Sequence, residues 1–325
     1  MKKILACAIL CASLCAQEEE VPSTPAAPAT LSPWLTGPLI APIGNIVGWG
    51  DFEIESYVYC TTNTGTYSST WQAESETNFL SFNPQFVTFW GISSWADITM
   101  TPQFFVQTTK NQTSTQFGDL PLGFDFQLYP STNPDYYPGI KFTIQETFPT
   151  GNFQRLDPNK LLTDESGQGT FATKFNMLLY KVYHLSGVHF ISLTLSGGYT
   201  INMPTEVHGF NTYGGGYGTK GRVLPGNIAQ GIFSFELTLT QNWALAMDTV
   251  YTHTDRTQFF GTLGTTSTGA PATVGTPSQE QLSFSPAIEY NFSANFGIII
   301  GAWVSAIGRN SEVFRSGVIN VDYTY

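Results

Sequence analysis

The stretch that decides the fold is RSGVINVDYTY, residues 315–325. Its residues alternate between two faces, one with Ile319, Val321, Tyr323 and Tyr325 and the other with Val318, Asn320, Asp322 and Thr324. A strict period of two that ends on an aromatic residue is typical of the closing strand of a bacterial outer-membrane β-barrel, with one face toward lipid and the other toward the lumen. A soluble sandwich can also finish on such a strand, so the rest of the chain has to decide between them.

The start of the chain predicts export. Lys2 and Lys3 precede an apolar run over residues 4–16, and an acidic segment follows at residues 17–20. This is the layout of a secretory signal peptide, and the run is too short for a membrane-spanning helix. We predict a signal peptide at residues 1–16, with Ser13/Cys15 as a competing cleavage position and a lipid anchor on Cys7, Cys11 or Cys15 as the less favoured alternative. Cleavage after Ala16 leaves only Cys60, so no internal disulfide is expected.

Composition favours a protein embedded in lipid. Only 11% of residues are charged, 14% are aromatic and Gly numbers 31, whereas about a quarter of the residues in soluble domains are charged. No later segment gives about twenty consecutive apolar residues, so no transmembrane helix is predicted. A net charge of −11 argues against a nucleic-acid partner, because phosphate binding needs clustered Lys and Arg.

Residues 17–49 are rich in Pro and Ala, a composition that neither pairs in a sheet nor sustains a helix. We predict a Pro-rich periplasmic leader over this range. The alternative is that its apolar end, Trp34-Leu35 with Leu39-Ile40, enters the barrel mouth as a plug.

Residues 50–325 predict an all-β fold, a transmembrane antiparallel β-barrel of about 12 strands with short periplasmic turns and long extracellular loops. The predicted strands are 50–62, 79–91, 95–108, 117–129, 138–149, 169–184, 187–203, 226–240, 243–255, 280–291, 295–307 and 315–325. Tight turns are predicted at Ser93-Ser94, Leu185-Ser186, Gln241-Asn242 and Ser293-Ala294, and long polar loops at 63–78, 150–168, 204–225 and 256–279. An even strand count places both termini of the chain on the periplasmic side.

The pleat of these strands predicts which side chains enter the lumen. In segment 231–240, for example, Phe233 and Phe235 face lipid while Ser234 and Glu236 point inward. The charged lumen-facing candidates are Glu53, Glu55, Asp125, Lys141, Glu236, Glu289 and Asp322. Such an interior is polar and mildly acidic. Solute selectivity or interior hydrogen bonding is the favoured role for these carboxylates, and a carboxylate pair for hydrolysis is the less favoured one. Six aromatic residues near the short turns predict an interfacial girdle: Trp90, Trp95, Tyr129, Tyr183, Trp243 and Tyr290.

Three motifs carry a family resemblance: GDLPLGFDFQL at 118–128, GIKF at 139–142 and FPTGN at 148–152. Together they resemble a family of outer-membrane proteins associated with meta-pathway phenol degradation, which is characterised by a GD-x-x-LG strand and a later PTG turn. Pro121 interrupts the first motif. The resemblance implies a β-barrel and a role in moving aromatic or other apolar small molecules across the outer membrane. The same glycines are also compatible with a purely structural role in bends and loop starts.

The motifs that resemble those of enzymes give little support for catalysis. His184-Leu185-Ser186 has the spacing of the His and Ser of outer-membrane phospholipases, but it falls at a predicted periplasmic turn and lacks an Asn partner. His189, His208 and His253 show no metal-ligand spacing. The glycine-rich run at 214–221 lacks the strand-to-helix context of a phosphate-binding loop and predicts a flexible outer loop.

The sequence therefore predicts a channel or passive transporter for small solutes, with no enzymatic activity and no cofactor, and the family resemblance implies aromatic or apolar solutes. A non-transporting surface barrel whose long loops bind a partner is the first alternative, and an outer-membrane lipase is the second. The expected partners are outer-membrane lipid, the solute, and the barrel-insertion machinery through the strand that ends at Tyr325.

Overall fold

A computed structural model describes residues 32–131 and 137–325. The predicted signal peptide and the first part of the predicted leader, up to residue 31, lie outside the described residues. Within the described part of the chain, no helix is long and apolar enough to cross a membrane.

The described residues form strands and one short 3₁₀ turn at Pro158–Lys160. The strands are β1 (Phe52–Tyr67), β2 (Ala73–Ser93), β3 (Ala96–Met100), β4 (Phe104–Thr109), β5 (Gln112–Phe117), β6 (Leu120–Tyr129), β7 (Gly139–Phe148), β8 (Ala172–Ser186), β9 (His189–Asn202), β10 (Thr205–His208), β11 (Lys220–Leu224), β12 (Ile228–Thr238), β13 (Trp243–Thr254), β14 (Gln258–Thr262), β15 (Gln279–Ser293), β16 (Phe296–Arg309) and β17 (Glu312–Thr324).

A closed antiparallel barrel of twelve strands results from this set. Ten of the twelve are continuous, one is built from β3 and β4, and one from β5 and β6. Pro102 lies in the first break and Gly118-Asp119 in the second, as expected for residues that interrupt a ladder. The barrel closes where β1 pairs with β17, and Phe52 and Tyr325 exchange two backbone hydrogen bonds of 3.1 and 2.7 Å. The predicted closing strand is therefore confirmed.

The two ends of the barrel differ as predicted. The periplasmic end has tight connections such as 94–95, 187–188 and 294–295, while 149–171, 203–227 and 255–278 are long and extracellular. The predicted long loop at 63–78 is wrong, because β1 and β2 continue through it and only residues 68–72 connect them. The sequence of this segment is polar because both strands extend beyond the lipid bilayer on the extracellular side. Its Thr residues favour the extended backbone of a strand.

The extracellular loops fold into a cap. β10, β11 and β14 form a three-stranded sheet, and Val207, Tyr213 and Val223 make a small apolar core beneath it. The glycine-rich run at 214–221, predicted to be flexible, is packed into this cap. A Cβ on Gly216 would lie 2.2 Å from the carbonyl oxygen of Thr265, so glycine is needed here for close backbone approach.

The outer face of the barrel is apolar. Phe233, Leu195 and Ile300 are each about half exposed in the middle of their strands, at 47%, 54% and 51%. An exposed apolar belt of this kind is stable only in contact with lipid. Five of the six predicted girdle residues are exposed near the periplasmic turns, while Tyr290 is half-buried against Trp243 at a ring distance of 4.7 Å.

Replacing Phe233 by Arg should destabilise the barrel by about 2–4 kcal/mol, because it places a charge at the bilayer midplane. Equilibrium urea unfolding in lipid vesicles, followed by tryptophan emission, measures this change. Glu206→Arg on β10 of the cap, outside the lipid belt, is the control and should lose much less. Equal losses for the two variants would contradict this assignment of the lipid-facing side.

Candidate functional site: the barrel lumen and its inner plug

Residues 34–48, which we call the inner plug, lie inside the barrel. The segment enters from the periplasmic end, reaches the middle of the lumen near Leu39 and Ile40, and returns to the periplasmic end before β1. The expected leader over 17–49 therefore needs correction for this part, and the alternative of a plug describes it. The reason is that the barrel wall supplies acceptors and apolar contacts that local composition does not reveal.

Buried carboxylates on the barrel wall accept hydrogen bonds from the backbone of the plug. Thr36 N–H donates to Glu289 Oε2 at 3.1 Å, and Gly37 N–H donates to Glu236 Oε1 at 3.1 Å. Both glutamates are almost fully buried. Because a buried N–H without a partner is costly, these contacts fix the plug in one position.

Two aspartates extend this set of anchors. Asp248 accepts from the N–H groups of Ile40 at 3.1 Å and Ala41 at 3.4 Å, and Asp97 accepts from Val47 N–H at 2.8 Å. The four anchors come from β3, β12, β13 and β15, so the plug is tied to strands around the barrel. Pro38 and Pro42 have no N–H, which reduces the number of donors that must be satisfied in the lumen.

Apolar packing adds to the anchoring. Leu39 is fully buried against Tyr57, Ala246, Ile299 and Val318, and Ala41 packs with Ile232 and Val250. Burying a Leu side chain stabilises by about 1.5–3 kcal/mol. In this part of the lumen, apolar side chains that contact the plug thus lie beside the buried carboxylates.

The predicted pair Asp125 and Lys141 lies on β6 and β7, and both side chains are buried. Lys141 Nζ donates to the carbonyl oxygen of Asn45 in the plug at 3.5 Å. Thr143 donates a short hydrogen bond to Asp125. Lys141 thus contacts the returning arm of the plug.

The remaining predicted candidates lie at the β1–β17 seam, near the periplasmic end. Glu55 is buried and directly opposite Asp322 in the register, so barrel closure brings these two carboxylates together. Glu53 is partly buried and accepts from Thr324 Oγ1 at 3.2 Å. A role of any of these residues in solute passage stays a prediction.

Two cavities formed by the described residues lie in the lumen. The inner one, of about 300 Å³, is lined by plug residues together with Glu55, Asp125 and Lys141. The outer one, of about 700 Å³, lies toward the extracellular end. Ile40, Tyr59 and Gln85 line both, so the tip of the plug marks the boundary between them.

The motifs of the family resemblance meet in space. Asp119 accepts from the N–H groups of Gly151 at 2.9 Å and Gln168 at 2.7 Å, and Thr150 Oγ1 donates to the carbonyl oxygen of Gly118 at 2.8 Å. The GD and PTG motifs therefore hold the extracellular loop 149–171 against the break between β5 and β6. This contact supports the structural interpretation of the motifs.

In the His184-Leu185-Ser186 motif, the histidine makes local contacts. His184 Nε2 lies 2.9 Å from the carbonyl oxygen of Gly187 and its ring stacks on Phe190, at the periplasmic turn where the sequence placed it. Among residues 32–131 and 137–325, no group of three or more His, Cys, Asp or Glu is arranged to hold a metal ion.

Neither Asp248 nor Asp97 was among the charged lumen-facing candidates predicted from the sequence. A signal for Asp248 exists in β13, where the small residues Ala244 and Ala246 alternate inward with it. Small and aliphatic side chains that face the lumen indicate that another segment of protein packs against them, because the wall of a water-filled pore is lined mainly by polar side chains. This pattern identifies the docking face of the plug.

Comparisons with known proteins show the fold. No family model and no curated protein matches the sequence. A crystal structure of an outer-membrane channel from Pseudomonas putida F1 is 14% identical, with a TM-score of 0.62 over 88% of this chain and 100% of that chain. The translocator domain of the autotransporter NalP from Neisseria meningitidis is 10% identical, with a TM-score of 0.42 over 85% of this chain and 88% of that chain. The NanC porin is 8% identical, with a TM-score of 0.42 over 82% of this chain and 98% of that chain.

At 14% identity, the likeness to the outer-membrane channel shows the barrel fold and does not determine the activity of this chain. Together with the apolar belt, the fold identifies this chain as a β-barrel of the bacterial outer membrane, in contact with its lipid.

Replacing Asp248 by Asn should loosen the plug, because hydrogen bonds to a charged acceptor contribute about 1.5–3 kcal/mol and the amide keeps only one acceptor oxygen. The rate of maleimide labelling of Ala41→Cys, in a Cys60→Ser background, should rise about tenfold or more. Glu206→Gln on the cap is the control, with no expected change. An unchanged rate in Asp248→Asn would show that the aspartate does not hold the plug.

Glu165 in loop 149–171 makes that loop sensitive to pH. Burial raises the pKa of its carboxyl from 4.5 to about 7, the hydrogen bond from Thr212 opposes the rise, and the charges of Glu312 and Asp164 add to it. A raised pKa means that the folded loop favours the protonated acid. The stabilising contribution of the protonated Glu165 side chain to loop docking is fully present below pH 4.5 and is lost as pH rises through 7.

Backbone hydrogen exchange in residues 150–168, corrected for the intrinsic rate, should therefore be faster at pH 8 than at pH 5. Glu165→Gln should remove most of this difference, since the amide does not titrate, whereas Glu206→Gln should retain it. The same pH dependence in Glu165→Gln as in the parent protein would assign the effect to another group.

Proposed function

We propose that this chain is an outer-membrane channel through which small solutes diffuse, with the inner plug narrowing the passage. The observation that supports this most directly is the pair of lumen cavities of about 300 and 700 Å³ that share the residues at the plug tip. A barrel built only as a scaffold fills its interior with side chains. Here small inward residues such as Ala246 leave room for a separate segment, which is tied by hydrogen bonds to the wall.

In this proposal the plug controls passage. Between Thr36 and Val47 it contacts the wall through hydrogen bonds and a few apolar residues, so displacement of this part joins the outer cavity to the inner one. Solutes then meet the carboxylates that the plug had engaged, together with Thr, Gln and Tyr side chains that replace part of their hydration.

A small aromatic or apolar solute is the class that the resemblance to the phenol-degradation family supports, since Tyr57, Tyr59 and Phe89 line the inner cavity. For biogenesis, we propose that the insertion machinery binds the strand ending at Tyr325, which is 81% exposed at the barrel seam.

The alternative of a non-transporting surface barrel is favoured by one feature, the extracellular cap. Its β10–β11–β14 sheet has an apolar core of its own, more structure than a simple connection requires. Exposed aromatic residues on it, such as Tyr217 and Phe260, would then contact a partner.

Planar-bilayer recordings separate these two functions. The channel proposal predicts discrete current steps for the refolded protein, and larger or more frequent openings for Asp248→Asn. Glu206→Gln should behave like the parent protein. A folded, inserted barrel that passes no current in either the parent or Asp248→Asn would reject the channel and favour the surface-barrel function.

A further inference from the structure

The outer cavity has an aromatic wall. Its rings come from five strands, one from each, and they are Tyr59, Phe79, Phe105, Trp303 and Phe314. Trp303 is central, with ring centroids 6.4 Å from Tyr59 and 5.1 Å from Phe314. Its Nε1 donates to Ser283 Oγ at 2.9 Å, which fixes the orientation of the indole. The cavity thus presents several ring surfaces in defined positions.

Local sequence explains why these rings converge. Asn63 on β1 is the register partner of both Phe79 on β2 and Phe314 on β17, so the three side chains form one row across the lumen face. A β-bulge directly follows, between Asn63 and Gly65. Bulges redirect side chains at strand ends and are common next to functional sites. Gly65 is required there, since a Cβ would lie 1.9 Å from the carbonyl oxygen of Glu74.

Three carboxylates complete the cavity toward its extracellular rim: Glu76, Glu165 and Glu312. Each accepts a hydrogen bond from one uncharged side chain, Thr66 for Glu76 at 3.0 Å, Thr212 for Glu165, and Asn63 for Glu312 at 2.8 Å. No Lys, Arg or His is among the residues that line this cavity, and within the described part of the chain none of the three carboxylates forms a salt bridge. The cavity therefore carries negative charge without a protein counter-charge.

We propose that the outer cavity is a binding site for an organic cation, a protonated or quaternary amine attached to an apolar or aromatic body. This inference rests on the proposed channel function and narrows its solute class. Ring faces attract a cationic nitrogen, and carboxylates supply the opposite charge while leaving the apolar body in contact with the aromatic wall.

Other solute classes fit this chemistry less well. An anion is repelled by the three carboxylates and finds no basic group in the cavity. A neutral hydrocarbon can occupy the aromatic wall, but it leaves the carboxylates without a partner. A hydrated metal ion can approach the carboxylates, but it gains nothing from the rings that form most of the wall.

The ionisation of Glu165 supports the same class. Its pKa of about 7 means that the carboxyl is partly protonated near neutral pH, and burial together with the charges of Glu312 and Asp164 keeps it so, against the hydrogen bond from Thr212. The charged groups that face it from other elements are Glu312 on β17 and Glu76 on β2. A bound cation offsets this repulsion, so cation binding is expected to strengthen as pH rises through 7.

Isothermal titration calorimetry on the full-length, detergent-solubilised barrel tests the proposal with benzyltrimethylammonium as the probe. The expected result is saturable binding at pH 8 that weakens at pH 5.5. Benzyl alcohol and benzoate provide the neutral and anionic comparisons, and both should bind about tenfold more weakly or not at all. Equal binding of the alcohol and the cation, or tighter binding of benzoate, would overturn the proposal.

Variants locate the site. Glu76→Gln/Glu312→Gln and, separately, Trp303→Leu should each weaken probe binding about tenfold. The matched controls are Glu206→Gln on the cap and Trp243→Leu in the periplasmic girdle, neither of which lines the cavity. Unchanged affinity in both site variants would place the probe elsewhere on the barrel and reject this site.

Planar-bilayer current recordings with the probe distinguish a failure of the cation site from a failure of the channel function. If the channel and the site are both as proposed, the probe blocks the current of the parent protein, and the double glutamate variant relieves the block. Current that the probe does not affect contradicts the cation site but leaves the channel intact. Probe binding without current in the parent or Asp248→Asn contradicts the channel but leaves the site.

Discussion

The pairing of β1 with β17 is the contact on which the rest of the structure depends. Lipid offers no hydrogen-bond partners, so every backbone N–H and C=O within it must be satisfied by a neighbouring strand. The register of this seam, which places Glu55 opposite Asp322, also sets the position of each lumen side chain on both strands. A shift by one residue would turn the carboxylates toward lipid and the isoleucines inward.

Closing the ring creates a second requirement, because its interior must be either hydrated or filled. This chain does both in different places. The periplasmic half is occupied by the chain's own N-terminal segment, whose N–H groups donate to Glu236, Asp248 and Glu289. The extracellular half is left open and is lined by rings and carboxylates. While the plug is in place, the acidic interior is thus mostly a set of acceptors for backbone donors, and its outer part is the part open to a solute.

Local patterns were sufficient to predict the barrel but not its contents. Alternation in β12, with Phe233 outward and Glu236 inward, depends on a strand's own pleat, and it could be predicted from ten residues. The plug could not be assigned this way, because Thr36 finds its acceptor on Glu289, 253 positions away. The cap was missed for a related reason: β10, β11 and β14 are only four or five residues long, and their pairing joins two separate loops.

The anchors of the plug also have a consequence for the order of assembly. The plug precedes every strand in the sequence, yet three of its four acceptors lie on β12, β13 and β15, at separations of 199 to 253 residues. These acceptors converge only after late strands have joined the sheet. The first segment of the described chain to be synthesised therefore reaches its final place only after the strands that carry these acceptors have been synthesised and have come together.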